Sequence, residues 1–352
     1  MSDVARLAGV SAQTVSRVAA GSEHVRPDTR ERVLRAMNQL GYSPNRAAQA
    51  LRRGSFKTIG VLTQQIQRTG EALTTAGVLE AATAADYAVN LVQVEHPASN
   101  DLREAVYRLS HQAIDGLVVV QAGRAGREQL VLPPSMPVAV SDSTLVDYYP
   151  SASADQVGGV RDAVGHLLEL GHRTVHHVCG PEDSQSSLIR RATWARTLRE
   201  AGRVVPEPVP GDWEAAAGYE AGLRLAADPE VTAVFCANDE LALGLIRAMH
   251  EQGRRVPSDV SVVGFDGLAL GEYSFPPLTT VRQDFKRHGH EMVDLVLEQA
   301  ASGPLDGSRS IIIPTELLVR GSTAPPTPCA RSAASVRLLC LLTSETCECH
   351  DF

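Results

Sequence analysis

Across 352 residues there is no apolar run approaching the roughly twenty needed to span a bilayer as a helix, although hydrophobic residues make up 43% of the chain. No signal-peptide pattern precedes the first amphipathic stretch, so a cytoplasmic location is expected. In that compartment the six cysteines are expected to be thiols rather than disulfides. A nucleophile elbow, a phosphate-cradling glycine loop and a dinucleotide fingerprint are all missing, which removes the commonest signatures of hydrolases, nucleotide enzymes and dehydrogenases. A leucine heptad is also missing, so nothing predicts a tetramer-forming coiled coil. What is left is a chain long enough for two or three domains with real cores.

The charge is unevenly spread. The net balance is −8, yet residues 1–57 hold ten Lys/Arg against four Asp/Glu, a net of +6, and the remainder carries −14. A basic end can replace counterions on phosphates, while an acidic body discourages indiscriminate binding. Val4, Leu7 and Ala8 have the spacing of a buried helical stripe over 3–8, which Gly9 ends. Ser11 is a good cap for a helix over 12–19 with Val15 and Val18 facing inward. A third helix starts at Pro27, presents Val33, Met37 and Leu40, and stops at Gly41. Two short helices joined through a glycine turn are a helix-turn-helix pattern. Ala12, Gln13, Thr14, Ser16 and Arg17 are the candidate DNA-contacting residues of the second helix. Gln pairs with adenine, Arg with guanine, and a small Ala touches a thymine methyl. The plainer alternative is a small helical bundle whose polar face is simply solvated.

Residues 43–51 read as Ser43 capping a helix of about two turns that starts at Pro44, too short to stand alone in water. It is expected to form only against its symmetry mate and DNA, with Asn45 and Ala48 at the duplex and Leu51 as an apolar wedge in the minor groove. An ordinary alanine-rich linker is the alternative.

Asp3-Val4-Ala5, Ala8-Gly9-Val10-Ser11, Thr14-Val15-Ser16-Arg17, Gly41-Tyr42 and Pro44-Asn45-Arg46-Ala47-Ala48 resemble the LacI/GalR family of bacterial transcription repressors. The likeness runs to about residue 323 through Ala237-Asn238-Asp239 and Val262-Val263-Gly264-Phe265-Asp266. In its second half it is most similar to the lactose-repressor type, through Gly211-Asp212-Trp213, Pro276-Pro277-Leu278-Thr279-Thr280 and Gln283-Asp284-Phe285. The resemblance implies a homodimer on a double-stranded operator and a sugar-responsive ligand domain. One departure is Gln64, which stands where lactose-repressor-like pockets carry a small hydroxyl residue.

After residue 58 the pattern becomes α/β. Strands are expected at 59–62, 89–94, 117–120, 138–140, 175–179, 233–236 and 260–265, alternating with helices at 71–85, 101–111, 156–170, 187–201, 214–227 and 241–252. Such alternation implies parallel sheets flanked by helices, and two series of it imply two lobes with a cleft. The expected domains are a helix-turn-helix headpiece at 1–42, a hinge at 43–57, a two-lobed effector-binding and dimerisation domain at 58–323, and an atypical tail at 324–352. The resemblance implies the periplasmic-binding-protein-like version, in which the chain crosses between lobes three times. It also divides them at 58–154 with 284–311 and at 155–283 with 312–323.

Ligands of open α/β sheets meet residues just past the strand ends, where Asp142, Asn238, Asp266 and Gln283 fall. Carboxylate, amide and guanidinium groups form the paired hydrogen bonds that hold a neutral polyol, and an aromatic face covers its ring. Arg190 supplies a guanidinium, with Ser186 nearby in sequence, and Trp213 supplies a face. The resemblance adds Phe285 and matches all eight positions to effector contacts. Six of them have a plainer role open to them: Asn238 and Asp266 as caps, Trp213 as inter-lobe packing, Phe285 as core, Ser186 as an ordinary helix cap and Arg190 as a solvated side chain. Asp142, Asp266 and Arg190 also admit an acid–base site, but a helix-turn-helix serves no hydrolase and no enzymatic activity is expected. His176-His177 point to opposite faces of a strand, and His290 with Asp294 lacks a third ligand, so neither a metal nor another cofactor is expected. Cys329, Cys340, Cys347 and Cys349 lie in the tail, in spacing that suits no common zinc module.

Two functions therefore compete: a DNA-binding repressor of carbohydrate-utilisation genes that responds to a small sugar such as a β-galactoside, and a sugar-binding module that never meets DNA. A salt titration separates them. Affinity for duplex DNA is expected to fall by several powers of ten between about 50 and 200 mM salt if six or more phosphates are contacted, and a flat salt response would favour the second function.

Overall fold

The computed structural model describes residues 1–20, 22, 24–42, 55–94, 100–110, 114–120, 123, 128, 130, 132–133, 135–141, 143–146 and 148–327. The hinge segment 43–51 with Asn45, Ala48 and Leu51, the cleft candidate Asp142, and the four tail cysteines lie outside the described residues.

Three helices open the chain: α1 (Ser2–Ala8), α2 (Ala12–Ala19) and α3 (Pro27–Gln39). Gly9 ends α1 at φ 63°, a left-handed conformation that glycine adopts without a Cβ penalty, and the chain turns at once into Ser11. The Thr14 backbone N–H donates to the Ser11 hydroxyl at 3.1 Å and caps α2. Val15 and Val18 meet Val4 and Val33 in a small core of their own. Two expected core positions are not there: Leu7 and Leu40 are 50% and 47% exposed. At roughly 100° per residue the buried stripe of α1 centres on Val4, Ala5 and Ala8 and leaves Leu7 on its flank. Leu40 is already the residue that caps α3.

The first large sheet holds β1 (Thr58–Thr63), β2 (Ala88–Gln93), β3 (Gly116–Val119), β4 (Val138–Val140), β5 (Ser151–Ala154) and β10 (Ser310–Ile313), in the order β10-β5-β4-β3-β1-β2. The second holds β6 (His176–Val178), β7 (Ala233–Cys236), β8 (Ser261–Asp266), β9 (Thr279–Arg282) and β11 (Glu316–Leu318), in the order β11-β9-β8-β7-β6. Helices α4 (Thr69–Ala84), α5 (Asn100–Ser110) and α11 (Phe285–Ser302) cover the first sheet. Helices α6 (Gln156–Glu169), α7 (Gln185–Glu200), α8 (Ala215–Ala226) and α9 (Asp239–Glu251) cover the second, and α10 (Ala269–Glu272) is a single turn. Because both faces are covered, β3 and β8 are buried along their whole length.

The chain passes from one sheet to the other after β5, after β9 and after β10. β10 extends to Ile313 in the first sheet, so residues 312 and 313 belong there and not in the second lobe. The expectation of parallel strands has one exception, since β11 runs antiparallel to β9. The other strands of both sheets end at the crossing region, and only Pro314 and Thr315 separate β10 from β11. A strand entering from that end has to run away from it.

Two local devices position the parts. Asp115 receives the Ser55 hydroxyl at 2.6 Å and the backbone N–H groups of Phe56 and Lys57 at 2.7 and 2.8 Å, which fixes the chain where it enters β1. Helices α8 and α9 cross at Gly218 and Gly244, where an added Cβ would overlap the carbonyl oxygens of Leu241 and Ala215. Among the described residues no helix is long and apolar enough to cross a membrane. Gly244→Ala is expected to lower stability by about 1–3 kcal/mol through backbone overlap, despite a helix-propensity gain of about 1 kcal/mol. The urea midpoint should fall at unchanged slope, and a higher midpoint would contradict the close crossing.

Candidate functional site

Seven of the eight cleft candidates converge on one cavity between the sheets, of about 110 Å³: Ser186, Arg190, Trp213, Asn238, Asp266, Gln283 and Phe285. The eighth, Asp142, is outside the described residues. Each is delivered by an element end. Asp266 closes β8, Asn238 follows β7, Gln283 follows β9, Ser186 and Arg190 lie in the first turns of α7, Trp213 precedes α8, and Phe285 begins α11.

Arg190 is the hub, and only 3% exposed. Its Nε donates to Gln156 Oε1 at 2.8 Å, Nη1 donates to the Ala237 carbonyl, and Nη2 donates to Asp266 Oδ1 at 3.4 Å. The guanidinium lies 3.8 Å from the centroid of the Phe265 ring and 5.5 Å from that of Trp213. Gln283 Nε2 donates to the same Asp266 oxygen at 2.7 Å, and Gln156 Nε2 donates to Gln283 Oε1 at 3.3 Å. The four side chains form a closed polar ring. Asp266 sits at φ 111°, a costly conformation for a residue with a Cβ and one that its hydrogen-bond partners hold in place.

Burial pushes the Asp266 carboxyl up to about 6, against the pull of Arg190 and Gln283. Asp239, wholly buried behind it, is pushed up to about 8, first by burial and then by Asp266. Its oxygens take the Thr280 hydroxyl at 2.5 Å and the Leu268 N–H at 2.6 Å.

Some candidates have two roles. Asn238 caps α9 by accepting from Leu241 N at 2.9 Å, while its amide donates to the Trp213 carbonyl at 3.0 Å and holds the indole segment against the cleft. Ser186 shares a hydroxyl contact of 3.0 Å with Ser184. Trp213 and Phe285 are half-buried on opposite sides. Gln64, buried at 2% exposure, reaches across to Asp183 Oδ2 at 3.3 Å, so the larger side chain bridges the two lobes. Arg68, Glu71, Gln156 and Glu240, which no sequence pattern singles out, line the same cavity. The cap at Asp155 marked the start of α6, but nothing local pointed Gln156 at Arg190.

In the headpiece, Ala12, Gln13 and Arg17 are exposed on α2, and Thr14 and Ser16 are half-buried. The Thr14 and Ser11 hydroxyls lie 2.9 Å apart, so Thr14 is partly committed to the cap. His177 and His288 are buried and serve packing. His177 stacks on Phe235 with centroids 4.9 Å apart and donates from Nδ1 to the Phe235 carbonyl at 2.9 Å, and burial pulls it down to about 4. His288 Nε2 lies 2.7 Å from Ser141 Oγ and 2.8 Å from the Ala152 carbonyl. Among the described residues no group of three His, Cys, Asp or Glu could hold a metal. Cys179 and Cys236 are buried free thiols, and burial pushes Cys179 up to about 11.

Residues 1–45 match the family described as bacterial regulatory proteins, lacI family, and residues 164–323 match the periplasmic binding protein-like domain. The lactose operon repressor of Escherichia coli (strain K12) is 34% identical over 331 residues, covering 92% of this chain and 90% of that protein. The crystal structure of the lac repressor dimer bound to operator and the anti-inducer ONPF is similar at TM-score 0.81 and 32% identity, covering 92% of this chain and 98% of that one. A complex of the transcriptional regulator CelR with cellobiose is similar at TM-score 0.69 and 30% identity, with 91% and 98% covered.

The buried pair yields a pH-dependent expectation. The folded-state value of Asp266, about 6, lies above its ordinary 3.8. The stability it contributes is therefore complete below 3.8 and lost as pH rises through 6. Arg190→Met removes the charge that holds the carboxyl down. The variant is expected to lose about 3–5 kcal/mol at pH 8 and clearly less at pH 5, by urea unfolding. Equal deficits at the two pH values would overturn the pairing.

Proposed function

Because the chain belongs to the lacI family of bacterial regulatory proteins, we propose that it is a transcriptional repressor of carbohydrate-utilisation genes whose hold on an operator responds to a small sugar in the cleft. The observation that carries this is the division of α2. Val15 and Val18 are buried in the headpiece core while Ala12, Gln13 and Arg17 stand exposed beside one another. A helix anchored on one face and polar on the other is what enters a major groove, and Gln and Arg read adenine and guanine edges there. The net +6 of residues 1–57 supports phosphate contacts. A homodimer places two such helices on the half-sites of a near-palindromic operator, and Asn45, Ala48 and Leu51 of the paired hinge segments engage the minor groove between them.

The polar ring of the cleft suits a polyol. Asp266 and Asn238 accept or donate toward hydroxyls, Arg190 and Gln283 hold the carboxylate in place, and Trp213 and Phe285 cover apolar ring faces. Asp142 is kept as a further contact on the strength of the resemblance. Thr69 donates to Glu240 Oε1 across the lobes, as Gln64 does to Asp183. A sugar that favours one lobe arrangement shifts operator affinity only by its differential affinity for the two arrangements. We assign no catalytic step to the cleft. Arg190 and Asp266 are engaged in a shared hydrogen-bond network, and the Ser186 hydroxyl is paired with another hydroxyl rather than with a base.

Footprinting on DNA upstream of the protein's own coding region, at low ionic strength, tests the assignment. The wild type should protect a near-palindromic site, and Arg17→Ala should bind that site about 10- to 100-fold more weakly. No protected site there or on genomic fragments would refute it.

A further inference from the structure

We propose, resting on the reading of the cleft as the effector site, that Asp239 is a positioning residue for the effector: together with the Thr280 hydroxyl it clasps the backbone just after Asp266 and so aims the Asp266 carboxylate into the cleft. Asp239 is the first residue of α9 and is wholly buried. One of its oxygens takes the Leu268 N–H at 2.6 Å, and the other meets the Thr280 hydroxyl at 2.5 Å. The Thr280 oxygen in turn accepts the Gly267 N–H at 3.3 Å. Two consecutive N–H groups, those of residues 267 and 268, are therefore held by one carboxyl–hydroxyl pair. On the other side of the same turn the Asp266 carbonyl accepts the Gln283 N–H at 3.2 Å.

The turn needs such a grip. Asp266 lies at φ 111° and Gly267 at φ 74°, two successive residues in a region that side chains with a Cβ rarely enter. Released, Asp266 would relax toward negative φ and swing its carboxylate away from Arg190 Nη2 and Gln283 Nε2. An acid in the first turn of a helix often serves only that helix. Here Asn238 already caps α9, and both Asp239 oxygens are spent on the turn after β8 and on β9. Gly264 gives the room for this. An added Cβ there would stand 2.2 Å from Asp239 Oδ1, so α9 starts hard against β8.

Charge completes the device. Burial, and then Asp266, pushes Asp239 up to about 8, so it is a neutral acid at pH 7. The charged groups facing the pair are Glu240 from α9 itself and Arg190 from α7. A neutral Asp239 still accepts from Leu268 and can donate to Thr280, and it leaves Asp266 to carry the charge opposite Arg190. At higher pH a second buried charge forms behind Asp266 and repels it.

Isothermal titration of the full chain with galactose, glucose, lactose and cellobiose, from pH 7 to pH 9, tests the assignment. For a sugar that binds the wild type, Thr280→Val and Asp239→Ala should each weaken it about tenfold or more at pH 7, under conditions where circular dichroism shows the variant folded. Asp239→Asn offers the same acceptor and donor without a titrating proton, and should restore most of what Asp239→Ala loses. The wild type should bind about threefold or more weakly at pH 9 than at pH 7, a fall that Asp239→Asn should lack. A merely structural aspartate would change stability and leave the affinity of the folded protein and its pH profile alone. Wild-type affinity in Thr280→Val, or the same alkaline fall in Asp239→Asn, would overturn the assignment. The crystal structure of Thr280→Val decides it without any sugar: Asp266 should have left its positive φ and its contact with Arg190, and an unmoved Asp266 would sink the clasp. If none of the four sugars binds the wild type while Asp266 moves in that structure, the clasp stands and the carbohydrate reading fails.

Discussion

A guanidinium and a carboxylate buried side by side at the ends of α7 and β8 impose the condition that the rest of the cleft meets. Neither Arg190 nor Asp266 can be left unmatched inside the protein, because the cost of stripping water from an ion exceeds what a single neighbour returns. Gln156, Gln283, the Ala237 carbonyl and the Phe265 ring supply what is missing. These partners come from α6, the end of β9, the end of β7 and β8 itself, so the pair is satisfied only when the second sheet is fully assembled. A strained backbone at Asp266 is affordable for the same reason.

The chain's three crossings put this polar ring where it can act. Because all strands of the first sheet, and all but β11 of the second, end at the crossing region, both lobes present strand ends and helix starts to a shared space. Side chains from the two lobes meet there over hydrogen bonds that depend on lobe separation. Gln64 with Asp183 and Thr69 with Glu240 are two such links. The headpiece has a separate core of its own, so its three helices hold together without help from the cleft.

Much of this was legible from local pattern. Ser11, Val15 and Val18 announce α2, and strand–helix alternation announces two α/β lobes, because apolar periodicity and caps are written within a few residues. What escaped is what depends on distance along the chain. β5 is Ser151–Ala154, small and half polar, and is a strand only because β4 and β10 flank it. Arg190 was found through its resemblance and chemistry, but its partners Gln156 and Asp266 stand 34 and 76 residues away. Arg68 and Glu71 resemble an ordinary helix start until Glu240 is seen across the cavity. Leu7 and Leu40 failed for a different reason: in a three-helix core this small, one residue of helix phase decides inside from outside.

The collar at Asp115 bears on how movement leaves the body. One carboxylate grips three consecutive residues, Ser55, Phe56 and Lys57, just before β1. The segment that leads toward the DNA-binding end is thereby clamped to the first sheet at its root, like a rope belayed at the cliff edge. Any rotation of that sheet reaches residue 55 without slack. A turn of the first lobe relative to the second is therefore handed on at that root, at the residues Asp115 holds.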